Sequence, residues 1–506
     1  MTYIKNIHIV MNCRRHTLAI IMLMAAITVE AKITLPRMIS DNMVLQQQTD
    51  ARLWGWATPG ATISCSASWM SASVETQADS DGRWDISVKT PAASYDSHTV
   101  SLTERNGVKG GKPKRGASDA TDAVTLHNIL IGEVWLASGQ SNMEMPLKGF
   151  AGCCVRDGVR DAMSAASESP YVRMFNVKKA QALYPQKDCD GAWLLPTFKN
   201  AMEFSATAYY FATSLSNALG IPVGIVNSSY GGAHVESWTS REVCRQYSDI
   251  PQDSIGIYNF GEWEFDRPML MYNAMFCPVK SYTYKGIIWY QGCSNVGHAD
   301  IYAERLANMV ELWRRELRLG DIPFYQVQLA PYIFGENENA IGGALLREAQ
   351  YNATNIIRNS DIVCTNDLVL PIERYNIHPS QKRPVGLRLA LLALNKTYGM
   401  SDIACSGPRY DKSKFRVEGA TAVVGFQTNN FGICRNWGLE GFEIAGSDRI
   451  FHPAKAEFHW QTNEVFLTAD DVPTPVAVRY CFKDFQTGNL IGGNELPLFP
   501  FRTDNW

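Results

Sequence analysis

The sequence lacks a strong charge of either sign. Among its 506 residues, 47 Lys and Arg stand against 50 Asp and Glu, which gives a formal net charge of −3. The charges are spread along the chain, without the basic patch of a nucleic-acid surface and without a polybasic membrane anchor. We therefore expect the partner to be a small or neutral molecule, and neither nucleic acid nor a membrane.

Long apolar runs are also missing, apart from one near the start. Arg14 and Arg15 precede an apolar stretch at residues 18–29, which is short for a membrane span. This pattern is typical of a secretory signal peptide cleaved near Ala31, with a membrane anchor as the alternative. A signal peptide at residues 1–31 predicts export, so that the mature protein is periplasmic or secreted.

Paired cysteine motifs are missing as well. Twelve cysteines include Cys13 in the predicted signal peptide, which leaves eleven, an odd number with neither a CxxC pair nor zinc-finger spacing. Cys153 and Cys154 are adjacent and therefore poorly placed to bond one another. We expect few or no obligatory disulfides, which fits a bacterial periplasm better than an animal secretory pathway.

The pattern of short strands at residues 32–126 predicts an all-β domain. Alternating runs such as 51–56, 61–67 and 83–88 are separated by turn sequences, as in a small β-sandwich. The polar stretch at 106–123 is typical of a loop or linker.

Strands alternate with helices at residues 127–404, and the chain returns to a β pattern at 405–506. The alternation predicts a mainly parallel, doubly wound sheet with helices on both faces. Predicted strands of the α/β region are 128–137, 223–227, 286–290, 324–329 and 361–365, and predicted helices are 206–219, 301–317, 344–357 and 382–398.

Ser141 follows the first of these predicted strands. The apolar run at 128–137 stops at Ser138-Gly139, which places Ser141 at the carboxyl end of a strand, where open α/β sheets build their ligand sites. A serine in this place is a candidate nucleophile. The simpler alternative is a serine that makes a turn or caps a helix.

Three further stretches end apolar runs with small or polar residues. They lie at 227–234, 289–295 and 376–379, and each follows a predicted strand or precedes a predicted helix. All three can therefore converge with Ser141 on one rim of the sheet.

These stretches supply what acyl transfer needs, namely a base and oxyanion donors. His378 is the candidate base, with His234 and His298 as weaker rivals. Because glycine allows close approach and an amide donates without charge, four groups are candidate oxyanion donors. They are the N–H groups of Ser141, Gly231 and Gly232 and the side-chain amide of Asn295.

A family resemblance rests on these stretches. Four blocks resemble, in order, the motifs of the sialate O-acetylesterase family, a branch of the SGNH-type esterases. The blocks are Gly132-Glu133-Val134-Trp135-Leu136-Ala137-Ser138-Gly139-Gln140-Ser141-Asn142-Met143-Glu144, Gly231-Gly232, Trp289-Tyr290-Gln291-Gly-x-Ser294-Asn295 and Ile377-His378-Pro379-x-x-Lys382.

The resemblance implies an SGNH-hydrolase-like α/β/α domain flanked by all-β regions. It implies a serine esterase, free of metal and cofactor, that removes O-acetyl groups from sugars. Ser141 matches the family's nucleophile and His378 its catalytic histidine, while Gly231 or Gly232 and Asn295 match its oxyanion hole. Gln140 and Gln291 would border the acyl site.

Two positions depart from the family pattern. Cys293 stands where the third block usually has glutamate, which removes a charge near the oxyanion loop. Asn376 stands where many members have an aspartate two residues before the histidine. Asparagine can orient an imidazole but cannot stabilise an imidazolium with a full charge, so a serine–histidine dyad, or help from Glu373 or another acid, is required.

Three alternatives stay open. The substrate could be acetylxylan or another polysaccharide rather than an acetylated sialic acid, because glycan contacts lie on variable loops. The protein could bind glycans without turning them over. Cys293 could replace Ser141 as the nucleophile. The oligomeric state does not follow from the sequence.

Overall fold

The computed structural model describes residues 33–105, 120–251, 267–434 and 438–506. The predicted signal peptide at 1–31 and most of the predicted linker at 106–123 lie outside these ranges. Within them, no helix combines the length and apolarity that a membrane crossing needs.

Strands and helices of the described residues are numbered in chain order. The strands are β1 (Val44–Gln46), β2 (Asp50–Trp56), β3 (Thr62–Ala67), β4 (Val74–Gln77), β5 (Arg83–Lys89), β6 (Ser94–Arg105), β7 (Ala120–Gly139), β8 (Val172–Asn176), β9 (Trp193–Leu194), β10 (Val223–Ser229), β11 (Gly286–Tyr290), β12 (Phe324–Val327), β13 (Ser360–Val363), β14 (Arg409–Glu418), β15 (Thr421–Gln427), β16 (Phe442–Ala445), β17 (Phe451–Pro453), β18 (Lys455–His459), β19 (Glu464–Thr468), β20 (Ala477–Tyr480) and β21 (Phe501–Arg502). The α-helices are α1 (Ser141–Glu144), α2 (Gly158–Glu168), α3 (Phe198–Met202), α4 (Ala206–Leu219), α5 (Arg241–Cys244), α6 (Ala299–Leu317), α7 (Gly342–Ala353) and α8 (Arg383–Leu392).

The central sheet has the strand order β13-β12-β11-β7-β10-β8-β9. Every neighbouring pair from β13 to β8 is parallel, and β9 adds an antiparallel edge. Val134 and Leu136 of β7 pack into the hydrophobic core that contains α6 and α7, whereas Trp135 and Ala137 pack into the core that contains α4 and α8. Helices therefore cover both faces, as the alternating pattern predicts.

Helix α4 shows why some element boundaries could be predicted well. It begins after Ser205, whose hydroxyl accepts the backbone N–H of Ala208 at 3.1 Å, and it ends at Gly220, which has φ +67°. A serine N-cap and a left-handed glycine are the usual signals at the two ends of a helix. Its bounds agree with the predicted 206–219.

Strand β7 belongs to two parts of the molecule. Residues before about 131 pair antiparallel with β6 of the N-terminal region, whereas Glu133 to Gly139 pair with β10. The predicted boundary between residues 126 and 127 therefore falls inside a continuous strand. The N-terminal strands also share a core with the central sheet, since Trp54 meets Tyr282 edge to face at 6.3 Å.

The C-terminal region forms two four-stranded antiparallel sheets. Their strand orders are β14-β15-β19-β18 and β17-β16-β20-β21, and residues of both sheets share one core. Arg502 pairs with Glu348 of α7, and the carboxylate of Asp484 accepts the Gly343 N–H at the start of the same helix. The described structure is thus a mixed α/β region flanked by β-regions on both sides.

Candidate active site

The turn after β7 places Ser141 at the carboxyl edge of the sheet. Gly139 has φ +138° and packs so tightly against the carbonyl of Tyr290 in β11 that a side chain there would collide with it. The N–H of Gln140 then donates to the same carbonyl at 2.8 Å, and Ser141 begins α1. Glycine at position 139 is therefore required for the serine to sit where it does.

Gly231 lies directly beside Ser141. A Cβ atom added to Gly231 would lie 3.3 Å from the Cβ of Ser141. The N–H of Gly231 donates to Glu144 Oε2 at 2.6 Å, while Lys179 pairs with Oε1 of the same carboxylate at 2.8 Å. That N–H therefore already has a carboxylate partner, and the neighbouring Gly232 has φ +83°.

The imidazole of His378 is partly buried against the edge of Phe150, with ring centroids 5.0 Å apart. Among the described residues its Nε2 atom has no hydrogen-bond partner. Burial, and then the charge of Lys382, lower the pKa of His378 to about 4. The ring is therefore neutral at physiological pH and able to accept a proton.

The loop around His378 is shaped by two acceptors that do not touch its ring. Asn376 Oδ1 accepts the backbone N–H of His378 at 3.0 Å and the thiol of Cys153 at 3.3 Å. Glu373 accepts the N–H groups of Leu370 and Ser380, each at 3.0 Å. In the described part of the chain, no carboxylate is hydrogen-bonded to the imidazole.

Asn142 connects the serine turn to the histidine loop. Its Nδ2 donates to the carbonyl of Ile377 at 2.9 Å, and its Oδ1 accepts Nζ of Lys382 at 2.5 Å. Sequence reasoning assigned no role to Asn142 or Lys382, although both stand inside the motif blocks. Their adjacency to Ser141 and His378 was the available signal.

Gln140 and Gln291 are buried and bonded to the scaffold. Gln140 Nε2 donates to Ser294 at 2.7 Å, and its Oε1 accepts the N–H of Gly292 at 3.2 Å. Gln291 donates to Asn295 at 2.7 Å and accepts from Tyr302 at 2.9 Å. Both side chains thus support the turn after β11.

The amide of Asn295 points into the same scaffold. Its Oδ1 accepts the N–H of Val235 at 3.1 Å, and its Nδ2 donates to Glu236 Oε2 at 3.1 Å. Asn295 is only 2% exposed. In this geometry its amide supports the turn at residues 235–238 and makes no hydrogen bond to Ser141.

The two histidines predicted as alternative bases, His298 and His234, lie in different surroundings. His298 is exposed just before α6, and His234 is buried beside the turn at Val235–Trp238. Burial raises the pKa of the Cys293 thiol to about 12, although Lys382 acts in the opposite direction. Because the thiolate is the reactive form, the Cys293 thiol is a poor nucleophile at neutral pH.

A buried ion pair lies beneath Asn295. Arg305 Nη1 meets Glu236 Oε1 at 2.5 Å, and its other terminal nitrogen pairs with Asp249. Glu236 is 1% exposed. The carboxylate that orients Asn295 therefore depends on Arg305 for its compensating charge.

Replacing Arg305 by methionine is expected to lower the free energy of unfolding by about 3–5 kcal/mol, because Glu236 would remain as an uncompensated buried charge. Urea denaturation measures the change. Arg358→Met is the matched control, since Arg358 forms an exposed pair with Asp321, and its loss should stay below about 1 kcal/mol. Equal losses for the two variants would contradict the structural role of Arg305.

A mainly parallel sheet with polar turns at its carboxyl edge is the arrangement in which α/β proteins build ligand sites. Comparisons with known proteins specify the class further. The family model described as carbohydrate esterase, sialic acid-specific acetylesterase, matches residues 131–395, more than half of the chain. The chain therefore belongs to the sialic acid-specific acetylesterase family of carbohydrate esterases.

Individual relatives agree with this assignment. Sialate O-acetylesterase from Homo sapiens is 27% identical over 406 residues, which cover 74% of this chain and 73% of the human protein. The Mus musculus protein of the same name is 26% identical over 426 residues, with coverages of 73% and 74%. A crystal structure of a carbohydrate acetylesterase from Xanthomonas citri is 33% identical, with a TM-score of 0.79 over 94% of this chain and all of that one.

Proposed function

We propose that the protein is a serine O-acetylesterase that removes acetyl groups from sialic acids, with Ser141 as nucleophile and His378 as general base. The observation that carries this proposal is one hydrogen bond. Asn142, which directly follows Ser141, donates to the carbonyl of Ile377, which directly precedes His378. Family membership supports hydrolysis of acetyl esters on sugars. This hydrogen bond supports the proposal because it links the two segments that carry the proposed nucleophile and the proposed base.

In the proposed mechanism, His378 takes the proton of Ser141 as its hydroxyl attacks the acetyl carbonyl. The backbone N–H groups of Ser141 and Gly232 stabilise the oxyanion, and His378 then protonates the departing sugar oxygen. Water hydrolyses the acetyl-enzyme by the same route in reverse. Gly231 and Asn295, which the sequence suggested as donors, hold Glu144 and the turn at residues 235–238 in this assignment.

The substrate is proposed from the relatives. The human and mouse proteins are named for sialate, whereas the Xanthomonas protein is described only as a carbohydrate acetylesterase. A polysaccharide deacetylase is therefore the second candidate. Because the sequence pattern at 1–31 predicts a signal peptide, we also propose that the enzyme is exported.

Acetate release from 9-O-acetylated sialic acid and from acetylated xylan tests the substrate. Activity on the sialic acid that is lost in Ser141→Ala supports the first candidate, and activity on xylan alone supports the second. Binding of either glycan without acetate release would favour a glycan-binding protein.

The pH profile tests His378 as the base. We expect kcat/KM to fall as the pH is lowered through about 4, because His378 must be unprotonated to accept the proton of Ser141 and its pKa lies near 4. Initial rates with 4-nitrophenyl acetate between about pH 3 and pH 8 measure this limb. Enzyme held at each pH and assayed again at pH 7 controls for denaturation. A kcat/KM that stays constant down to about pH 3 in enzyme that is still folded would contradict His378 as the base.

A further inference from the structure

Asn142 and Lys382 form a bridge between the two proposed catalytic segments. The Lys382 ammonium donates to Asn142 Oδ1, and Asn142 Nδ2 donates to the carbonyl of Ile377. Asn142 directly follows Ser141, and Ile377 directly precedes His378. We propose that Lys382 and Asn142 are positioning residues that hold His378 in register with Ser141, an inference that rests on the proposed function.

Both side chains are withdrawn from solvent. Lys382 is 1% exposed and Asn142 is 3% exposed. Burying a polar group costs free energy unless its hydrogen bonds are made, and a hydrogen bond from a charged donor is stronger than a neutral one. The Asn142 amide uses its oxygen and its nitrogen on two different segments, so that it can hold both in one geometry.

Among the described residues, the ammonium of Lys382 donates its hydrogen bond to Asn142 alone. Cys293, Cys153, Glu373 and His378 are the titratable groups that face the ammonium, and the ring of Tyr290 lies 5.8 Å from it. Glu373 is already bonded to two backbone N–H groups. The group at position 293 is a thiol, and burial lowers the pKa of Lys382 to about 7.

The bridge matters because acyl transfer is sensitive to small displacements. A catalytic group misplaced by about 1 Å can lower the rate about 100-fold. Without the bridge, the loop at residues 376–380 would keep Asn376 and Glu373 as local supports but lose its link to Ser141. We therefore expect kcat to fall while KM changes little, since neither Lys382 nor Asn142 is exposed to bind sugar.

The test compares Lys382→Met, Asn142→Leu and the double variant by kcat and KM on 4-nitrophenyl acetate. Each single variant is expected to lose about 10- to 100-fold in kcat. If both residues act through one bridge, the loss of kcat in the double variant is no larger than the loss in the more impaired of the two single variants. Lys178→Met, which removes an exposed lysine paired with Asp190, is the matched control and should keep its kcat.

Two further measurements separate positioning from general loss of structure. Lys382→Met removes the charge that helps to lower the pKa of His378, so its acid limb should move above pH 4, whereas Asn142→Leu keeps the charge and should keep the limb. Asn142→Asp keeps an acceptor for Lys382 but places an oxygen against the Ile377 carbonyl, and its kcat should fall as well. Thermal unfolding shows whether each variant is folded.

The results distinguish this inference from the proposed function. Near wild-type kcat in folded Lys382→Met and Asn142→Leu, with Ser141→Ala inactive, would overturn the positioning role and leave the esterase mechanism standing. Losses that multiply in the double variant would overturn the common bridge. Turnover in Ser141→Ala would overturn both proposals. Ser141 would then not be the nucleophile, and His378 would not need to be held in register with it.

Discussion

Replacing Ser141 by alanine is expected to lower kcat for acetate release by at least about 10⁴-fold. The hydroxyl oxygen is the atom that forms the acyl bond in the proposed mechanism. The thiol of Cys293 is held in its unreactive neutral form by burial. Residual catalysis would come from the oxyanion donors and from substrate binding alone.

Two measurements check this expectation. Steady-state acetate release gives the loss in kcat, and labelling by a fluorophosphonate probe reports the serine itself. Ser167→Ala, which changes an exposed serine on α2, should keep both activity and labelling. Cys293→Ala should keep its labelling at Ser141. Turnover by Ser141→Ala within about tenfold of wild type would refute the nucleophile assignment.

Two of the three stretches predicted to lie near Ser141, at 227–234 and 289–295, could be placed because each ends a strand that is buried on both faces. Strands β10 and β11 are buried along their whole length, so they appear in the sequence as uninterrupted apolar runs that end at small or polar residues. The carboxyl ends of parallel strands share one edge of a sheet. Spacing and residue type therefore indicated where Ser141 and Gly231 would meet.

The roles of the amide side chains could not be predicted in the same way. Asn295 has the donor chemistry of an oxyanion hole, but its partners Val235 and Glu236 lie 60 and 59 residues away in the sequence. Asn142 and Lys382 are separated by 240 residues. A single sequence shows which groups can form hydrogen bonds, whereas partner choice over such separations depends on how the chain packs.

Strand β7 illustrates a second limit. Its second half is largely apolar and was predicted as a strand at 128–137, but the strand extends back to Ala120. In its first part, exposed side chains alternate with less exposed ones, and these residues pair with β6 of the N-terminal sheet. The residue composition of β7 changes where its partner changes from β6 to β10. The predicted domain boundary therefore lies near a change of partner strand within one continuous strand.

Replacing His378 by alanine is expected to lower kcat by at least about 10³-fold, since proton transfer by a positioned base contributes about 10²- to 10⁴-fold and this residue serves both chemical steps. The same variant should label more slowly with a fluorophosphonate, because Ser141 would lack its base. Added imidazole should restore part of the activity if the loss lies in proton transfer rather than in folding.

The pH dependence of stability gives an independent measure of the same side chain. The pKa of His378 is lowered to about 4 in the folded state from an ordinary 6.5, so the unfolded chain binds more protons between these values. The contribution of His378 to stability is therefore full above about pH 6.5 and is lost as the pH falls towards 4. His378→Gln should lose less stability than the wild type across this interval in urea denaturation.

His298→Ala, which removes the exposed alternative base, should behave as wild type in every assay. A large loss of kcat in His298→Ala together with full activity in His378→Ala would transfer the role of base to His298.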